Sequence, residues 1–321
     1  MKKLNIAFFG APDFATDVLH QIIDDSELPV ELRFVVTQPD RKAGRDQILT
    51  PTPVKLLAQK YNIPIYDNLQ LEIVNSKLQE IDFVLLYAFG KLIPAKMLKI
   101  PKWGFWNIHP SLLPKYRGPS PIVYPLLLGE IQTGVSLIQM DERMDHGQIL
   151  MQEEYSIQNE DTQEILKKRL SGIGYKLFKE SIQQLINGAL QKKEQDHSKA
   201  TFTRLLTKKD GFISFATVQK IIKGEPLTSD EIPPIVVEYY TKNKLAFPES
   251  VDCSLLTVCL FKALAPWPGL WTLLPNGKRL IITRISLNSL FPHPYPLITH
   301  VQLEGKKEVD FATFNAAYKA F

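Results

Sequence analysis

Along the first half of the chain, short apolar runs alternate with segments in which apolar residues recur every three to four positions. Residues 4–10 (LNIAFFG), 31–38 (ELRFVVTQ), 63–67 (IPIYD), 81–90 (IDFVLLYAFG) and 104–110 (GFWNIHP) are the runs. Each is short, and FVLLYAF is almost continuously apolar, as expected of a strand covered on both faces. Between them, residues 13–24 and 53–61 carry a helical period, and a long amphipathic segment follows at 162–187, with Thr162 placed to cap it. Strands separated by helices of this length predict βαβ units and a mostly parallel sheet. After Gly188 the polar stretch LQKKEQDHSKATF predicts a surface linker. Beyond it, VVEYY (236–240), LLTVCLFKAL (255–264), LWTLL (270–274), KRLIITRISL (278–287) and LITHVQL (297–303) read as short β runs. Pro275-Asn276-Gly277 between two of them is a hairpin signal. These runs predict a small antiparallel barrel or sandwich, and the expected domains are 1–189, a linker at 190–207, and 208–321.

Composition changes this picture little. At 321 residues, 45% apolar and 22% charged, the chain can bury two ordinary cores. A net charge of +4 does not by itself mark a nucleic-acid binder. Cys253 and Cys259, six apart in the run CSLLTVC, would share one face of a strand as buried thiols of a reducing compartment. The opening MKKLNIAFFGAPDF has too short an apolar run for a signal peptide, and Asp13 and Asp17 follow at once. No run reaches the ~18 apolar residues of a membrane span, so a cytoplasmic protein is expected.

The candidate chemistry lies in NIHPSLLPKYRGPSPI (107–122) and MDERMDHG (140–147). Asn107 and His109 are two apart at a strand end, so they share a face. They fall at the carboxyl edge of the sheet, where α/β folds form ligand crevices. An amide can donate to a developing oxyanion, an imidazole can move a proton near neutrality, and the carboxylate of Asp145 can orient that imidazole. None of the three is a good nucleophile here, which favours direct attack by a substrate amine. A structural histidine and a turn aspartate account for the same residues equally well.

The run NIHPSLLPKYRG followed by MDERMDHG resembles the signature of the formyltransferases that use 10-formyltetrahydrofolate. The resemblance implies that Asn107, His109 and Asp145 are catalytic, that Ser111, Leu112, Leu113 and Pro114 line the folate site, and that no metal takes part. FFGAPDFA (8–15), VVTQPDRKAGR (35–45), LTPTPVKLLA (49–58), LLTKKDGFISF (205–215), APWPGLWTLLPNGKRL (265–280) and VQLEGKKEVDF (301–311) are similar to the branch acting on initiator methionyl-tRNA. For that branch the resemblance implies a Rossmann-like catalytic domain, an OB-like barrel that helps bind tRNA, and phosphate contacts from Arg41, Lys42 and Arg45. A monomer is expected. Three departures stand out. Asp46, Gln47 and Ile48 replace lysine-rich sequence, Arg143 stands where glycine is common, and His146 where threonine is common. Residues 224–250 exceed the corresponding segment and have no assigned role.

Three other functions fit parts of the chain. A nucleotide-dependent dehydrogenase fits the βαβ opening, but FFGAPDFA lacks the glycine-rich pyrophosphate cradle. A sugar-nucleotide N-formyltransferase would share the active-site motifs but not the Pro-Asp-Arg loop or the C-terminal matches. A non-catalytic RNA-binding protein would not need the Asn-His-Asp set.

Overall fold

The computed structural model describes residues 3–43, 46–67, 71–225, 227–247, 253–286 and 298–321. Arg45 lies outside them. The chain forms two compact units that interleave along the sequence. The first comprises residues 1–119, 133–155 and 167–201; the second comprises 120–132, 156–166 and 202–321.

The first unit is built on a seven-stranded sheet. In chain order its strands are β1 (Leu4–Gly10), β2 (Val30–Val36), β5 (Ile65–Tyr66), β6 (Phe83–Tyr87), β7 (Phe105–His109), β8 (Gln132–Gln139) and β9 (Ile149–Ser156), with a separate ribbon of β3 (Arg41–Ala43) and β4 (Ile48–Thr50). The spatial order is β5-β2-β1-β6-β7-β8-β9, parallel from β5 to β7, with β8 antiparallel to β7. Alternation sorts the side chains. Phe9, Val36, Leu86 and Phe105 join one buried cluster with Met97 and Leu98, and Phe9 sits 5.4 Å from Phe105, edge to face. On the opposite face Phe83 stacks on Trp106 at 4.5 Å, and Phe178 of the long helix Gln163–Ile186 lies 6.0 Å from Phe83. That helix approaches β7 closely at Gly174, where a Cβ would come within 2.6 Å of Ile108. As expected, Thr162 caps it, its Oγ1 accepting from the Ile165 amide at 3.4 Å.

In the second unit, β10 (Leu270–Leu273), β11 (Arg279–Ile285), β12 (Ile298–Leu303) and β13 (Glu308–Asp310) form one antiparallel sheet. The Asn276-Gly277 turn joins β10 to β11, with Gly277 at φ 78 and the Lys278 amide donating to Asn276 Oδ1. Two runs read as strands are helices. VVEYY lies in the helix Pro234–Lys242 and LLTVCLFKAL in Cys253–Leu264. Buried Leu256, Cys259, Leu260 and Ala263 recur at three- and four-residue steps. A short apolar run fits either period until packing selects one. Cys259 is accordingly a buried helical thiol, its pKa pushed up to about 11 by burial. Trp267 is half exposed at 51%.

The stretch read as a surface linker is tied down at several points. Lys193 exchanges two backbone bonds of 2.8 Å with Ile149, Gln195 is buried, and Thr201 Oγ1 accepts from the Tyr116 amide at 2.9 Å. Backbone groups and short polar side chains make these contacts, so an apolar count does not reveal them.

Two predictions concern this framework. Phe9→Ala, which empties space beside Phe89 and Phe105, lowers stability by about 3–5 kcal/mol in urea unfolding. The second involves Asp25, which accepts from Lys179 at 2.6 Å and Tyr175 at 2.5 Å; these bonds lower its pKa from 3.8 to about 2. A depressed carboxyl stabilises the fold fully above its unfolded value and loses that contribution as pH falls through its folded one. Asp25→Asn therefore costs about 1 kcal/mol at pH 7, and its unfolding midpoint converges on the parent's between pH 4 and 2.

Candidate active site

Strand β7 ends the parallel part of the sheet and delivers two polar side chains. Asn107 and His109 follow Phe105 on its face, and both are buried. Asn107 pairs with Ile138 and His109 with Ser136 on β8. Strand β8 then runs into the 140–148 loop, whose base is closed by the Gln139 amide on the Gln148 carbonyl at 2.9 Å. The Met140 amide bonds back to the Phe105 carbonyl at 2.8 Å, seating the loop on β7.

That loop brings Asp145 to the pair. Asp145 Oδ1 accepts from Asn107 Nδ2 at 3.3 Å and lies 3.5 Å from His109 Nδ1, while Oδ2 accepts from the Gly118 amide at 2.7 Å. His109 Nε2 lies 3.0 Å from the Tyr116 carbonyl, which can only accept, so that nitrogen carries a proton. With Nδ1 toward a carboxylate and Nε2 on a carbonyl, an imidazolium satisfies both partners. The three residues separated by up to 38 positions thus form one cluster.

Arg143 is not left-handed; its amide donates to Asp141 Oδ1 at 2.9 Å. The positive φ falls on Asp145 itself, at 50°. Gly147 allows the close approach that follows, since a Cβ there would sit 1.9 Å from the Gln139 carbonyl oxygen.

Ser111–Pro114 form a rigid turn beside the cluster. Ser111 Oγ donates to the Lys115 carbonyl at 2.8 Å, and the Leu113–Pro114 peptide is cis. Ser136 Oγ donates to the Ser111 carbonyl at 2.7 Å and accepts from the Leu113 amide at 3.0 Å. Gln152 Nε2 reaches the Leu113 carbonyl at 3.0 Å. Next to the Asp145 loop lies a cavity of about 720 Å³ lined by Leu98, Gly104, Gln139, Met140, Asp141 and His146. Arg41 and Lys42 are away from this cluster on the β3–β4 ribbon, both exposed, with Arg41 turned back to Gln38. The ribbon base is pinned by Gln38 Nε2 on the Phe89 carbonyl at 2.6 Å and Lys55 on Asp40 at 2.7 Å.

Sequence reasoning missed four supporting residues. Arg117 is 4% exposed; burial pulls its guanidinium below its ordinary range, against the charges of Asp145 and Asp141, and it remains a cation. Its Nη2 donates to Gln195 Oε1 at 2.6 Å, and Gln195 Nε2 donates to the Asp145 and Gly147 carbonyls at 2.9 and 2.7 Å. Ser136 and Gln152 complete the set. Arg117 stood inside the quoted KYRG run; Gln195 stood in the presumed linker and gave no signal.

A strand-end amide, an imidazole and a carboxylate thus stand together at the carboxyl edge of the parallel sheet. Residues 3–182 match the family described as formyl transferase, and the chain belongs to that family. Over nearly its whole length it is similar to the methionyl-tRNA formyltransferases. It is 32% identical over 342 residues to that of Geobacter sulfurreducens, covering 99% of this chain and 95% of that protein. It is 35% identical over 315 residues to that of Thermotoga maritima, covering 96% and 93%. In fold it is similar to a 4-N formyltransferase from Francisella tularensis, with a TM-score of 0.61 at 15% identity over 88% of this chain and 98% of that one. It is also similar to HypX from Aquifex aeolicus, solved with tetrahydrofolic acid, with a TM-score of 0.59 at 12% identity over 98% of this chain and 47% of that one.

Gly147→Ala forces the loop base apart against backbone, and lowers stability by about 1–3 kcal/mol in urea unfolding. The Gly118 amide, released as Asp145 shifts, then exchanges faster with deuterium.

Proposed function

We propose that this chain transfers the formyl group of 10-formyltetrahydrofolate to the α-amino group of initiator methionyl-tRNA. The observation that carries this reading is the convergence of Asn107, His109 and Asp145 within 3.5 Å at the end of β7, in a chain similar to methionyl-tRNA formyltransferases along 96–99% of its length. The neutral amine attacks the formyl carbon. A C–N bond forms as the carbonyl π pair moves to oxygen, giving a tetrahedral oxyanion. Asn107 Nδ2 keeps a second N–H for it, a donor of the kind worth about 3 kcal/mol in the barrier, and the His109 imidazolium, its own N–H groups turned to Asp145 and Tyr116, stabilises it by charge. Asp145 orients the His109 ring and passes the amine proton to N10, whose bond to the formyl carbon breaks as the oxyanion collapses.

In this reading the Ser111–Pro114 turn borders the folate, with Leu112 and Pro114 half exposed and the backbone held by Ser136 and Gln152. The cavity beside the Asp145 loop, within the size range of small-molecule sites, takes part of the same ligand. Arg41, Lys42 and Arg45 contact tRNA phosphate as diffuse cations. The antiparallel sheet of residues 270–310 belongs to an OB-like tRNA-binding domain, and the enzyme acts as a monomer. Among the described residues no helix is long and apolar enough to cross a membrane.

The test supplies 10-formyltetrahydrofolate with charged initiator tRNA or with an amino-sugar nucleotide and measures the formylated product. Formyl-methionine on tRNA is expected; formylation of the sugar alone overturns the acceptor. His109→Ala and Asp145→Ala are each expected to lower kcat about 100-fold or more while unfolding normally. Near-parent turnover in either variant removes that residue from the mechanism.

A further inference from the structure

His146 stands on the Asp145 loop and His197 in the segment beyond the long helix; neither has a part in the chemistry above. Their rings stack at 3.9 Å, 11° from parallel. Each is also bonded at Nδ1, with opposite sense. His146 Nδ1 lies 2.6 Å from Asp141 Oδ2, an acceptor, so it carries a proton. His197 Nδ1 lies 2.8 Å from Arg117 Nη2, which can only donate, so it is bare and the His197 ring is neutral.

These bonds close a circuit. Asp141 fixes the start of the turn through the Arg143 amide. Asp141 binds His146, which stacks on His197, which accepts from Arg117. Arg117 orients Gln195, whose amide holds the carbonyls of Asp145 and Gly147. We propose that His146 and His197 are positioning residues for Asp145, their stacked pair closing this circuit around the catalytic turn and opening it in acid. The inference rests on the role given to Asp145 above.

Protonating His197 places an N–H against the Arg117 donor and a cation against the ring of His146. Lost solvation, then His146 and Arg117, lower the His197 pKa from its ordinary 6.5, while Glu194 and Asp141 act the other way. A histidine with a depressed folded pKa contributes fully above its unfolded value and loses that contribution as pH falls through the folded one. The circuit is therefore closed above about pH 6.5 and opens below it.

Two measurements test this without any substrate. Nitrogen–proton spectra of the histidine rings are expected to show His197 bare at Nδ1 at pH 7.5 and titrating below the ordinary histidine range; a proton on that nitrogen overturns the proposal. Hydrogen exchange at the Gly118 amide, which bonds Asp145, is expected to quicken about tenfold in His197→Ala and to recover in His197→Asn, whose amide oxygen accepts from Arg117. Unchanged exchange in the alanine variant, or no recovery with asparagine, overturns it. His146→Thr removes the stacked ring, one of the causes that lower the His197 pKa, and is expected to move the His197 titration up toward its ordinary value; an unmoved titration overturns the coupling. In the formyl-transfer assay His197→Ala is expected to lower kcat about tenfold with KM within about twofold, and a loss confined to KM overturns the positioning role. Absence of transfer to tRNA by the parent protein would count against the acceptor alone, because the amide exchange and the ring spectra decide the circuit without it.

Discussion

The Asp145 carboxylate meets Asn107, His109 and the Gly118 amide because its own backbone lies in the left-handed region. That conformation costs a non-glycine residue about 1–2 kcal/mol. Hydrogen bonds to a charged group are worth about 1.5–3 kcal/mol each, so the short bond from Gly118 alone offsets the strain. Gly147 next door supplies the room, and Gln195 fixes both backbone carbonyls. The strained residue, its carboxylate bonds and the missing Cβ make sense only together.

The rest of the first unit brings the parts of that arrangement to one place. Apolar alternation fixes β7 in the sheet, with Phe105 and Trp106 on opposite faces, and the same alternation turns Asn107 and His109 together past the end of the core. The antiparallel pairing of β7 with β8 sets His109 opposite Ser136, and Ser136 then clamps the Ser111–Leu113 turn. One register therefore places the imidazole, the turn proposed to border folate and the loop carrying Asp145. A slip of one residue would turn Asn107 and His109 into the opposite face.

The chemistry proposed for this family member asks little of the protein beyond placement and charge. An amine is its own nucleophile, so the site needs an amide donor and a positive charge for the oxyanion and a carboxylate to carry the proton. Burial of Asn107, His109 and Arg117 removes competing water and strengthens each interaction. Buried Arg117 balances the carboxylates of Asp145 and Asp141.

Much of this was legible in the amino-acid sequence. The βαβ alternation announced the sheet, the N-x-H spacing put Asn107 and His109 on one face, and Asn276-Gly277 announced a hairpin, because periods of 2 and 3.6 and turn chemistry are local properties. The helices Pro234–Lys242 and Cys253–Leu264 were not, since a short apolar run satisfies both periods and only its packing partner chooses. Nor was the interleaving of the two units, which depends on where 120–132 and 156–166 find neighbours. The motif named Asp145 as a partner of His109, but the tertiary structure decided how it gets there. It put the left-handed turn on Asp145 rather than Arg143, and it drew Gln195 and His197 in from a polar stretch some 50 residues away. Contacts of that kind run through backbone carbonyls and single polar atoms, which leave no periodic trace in the chain that makes them.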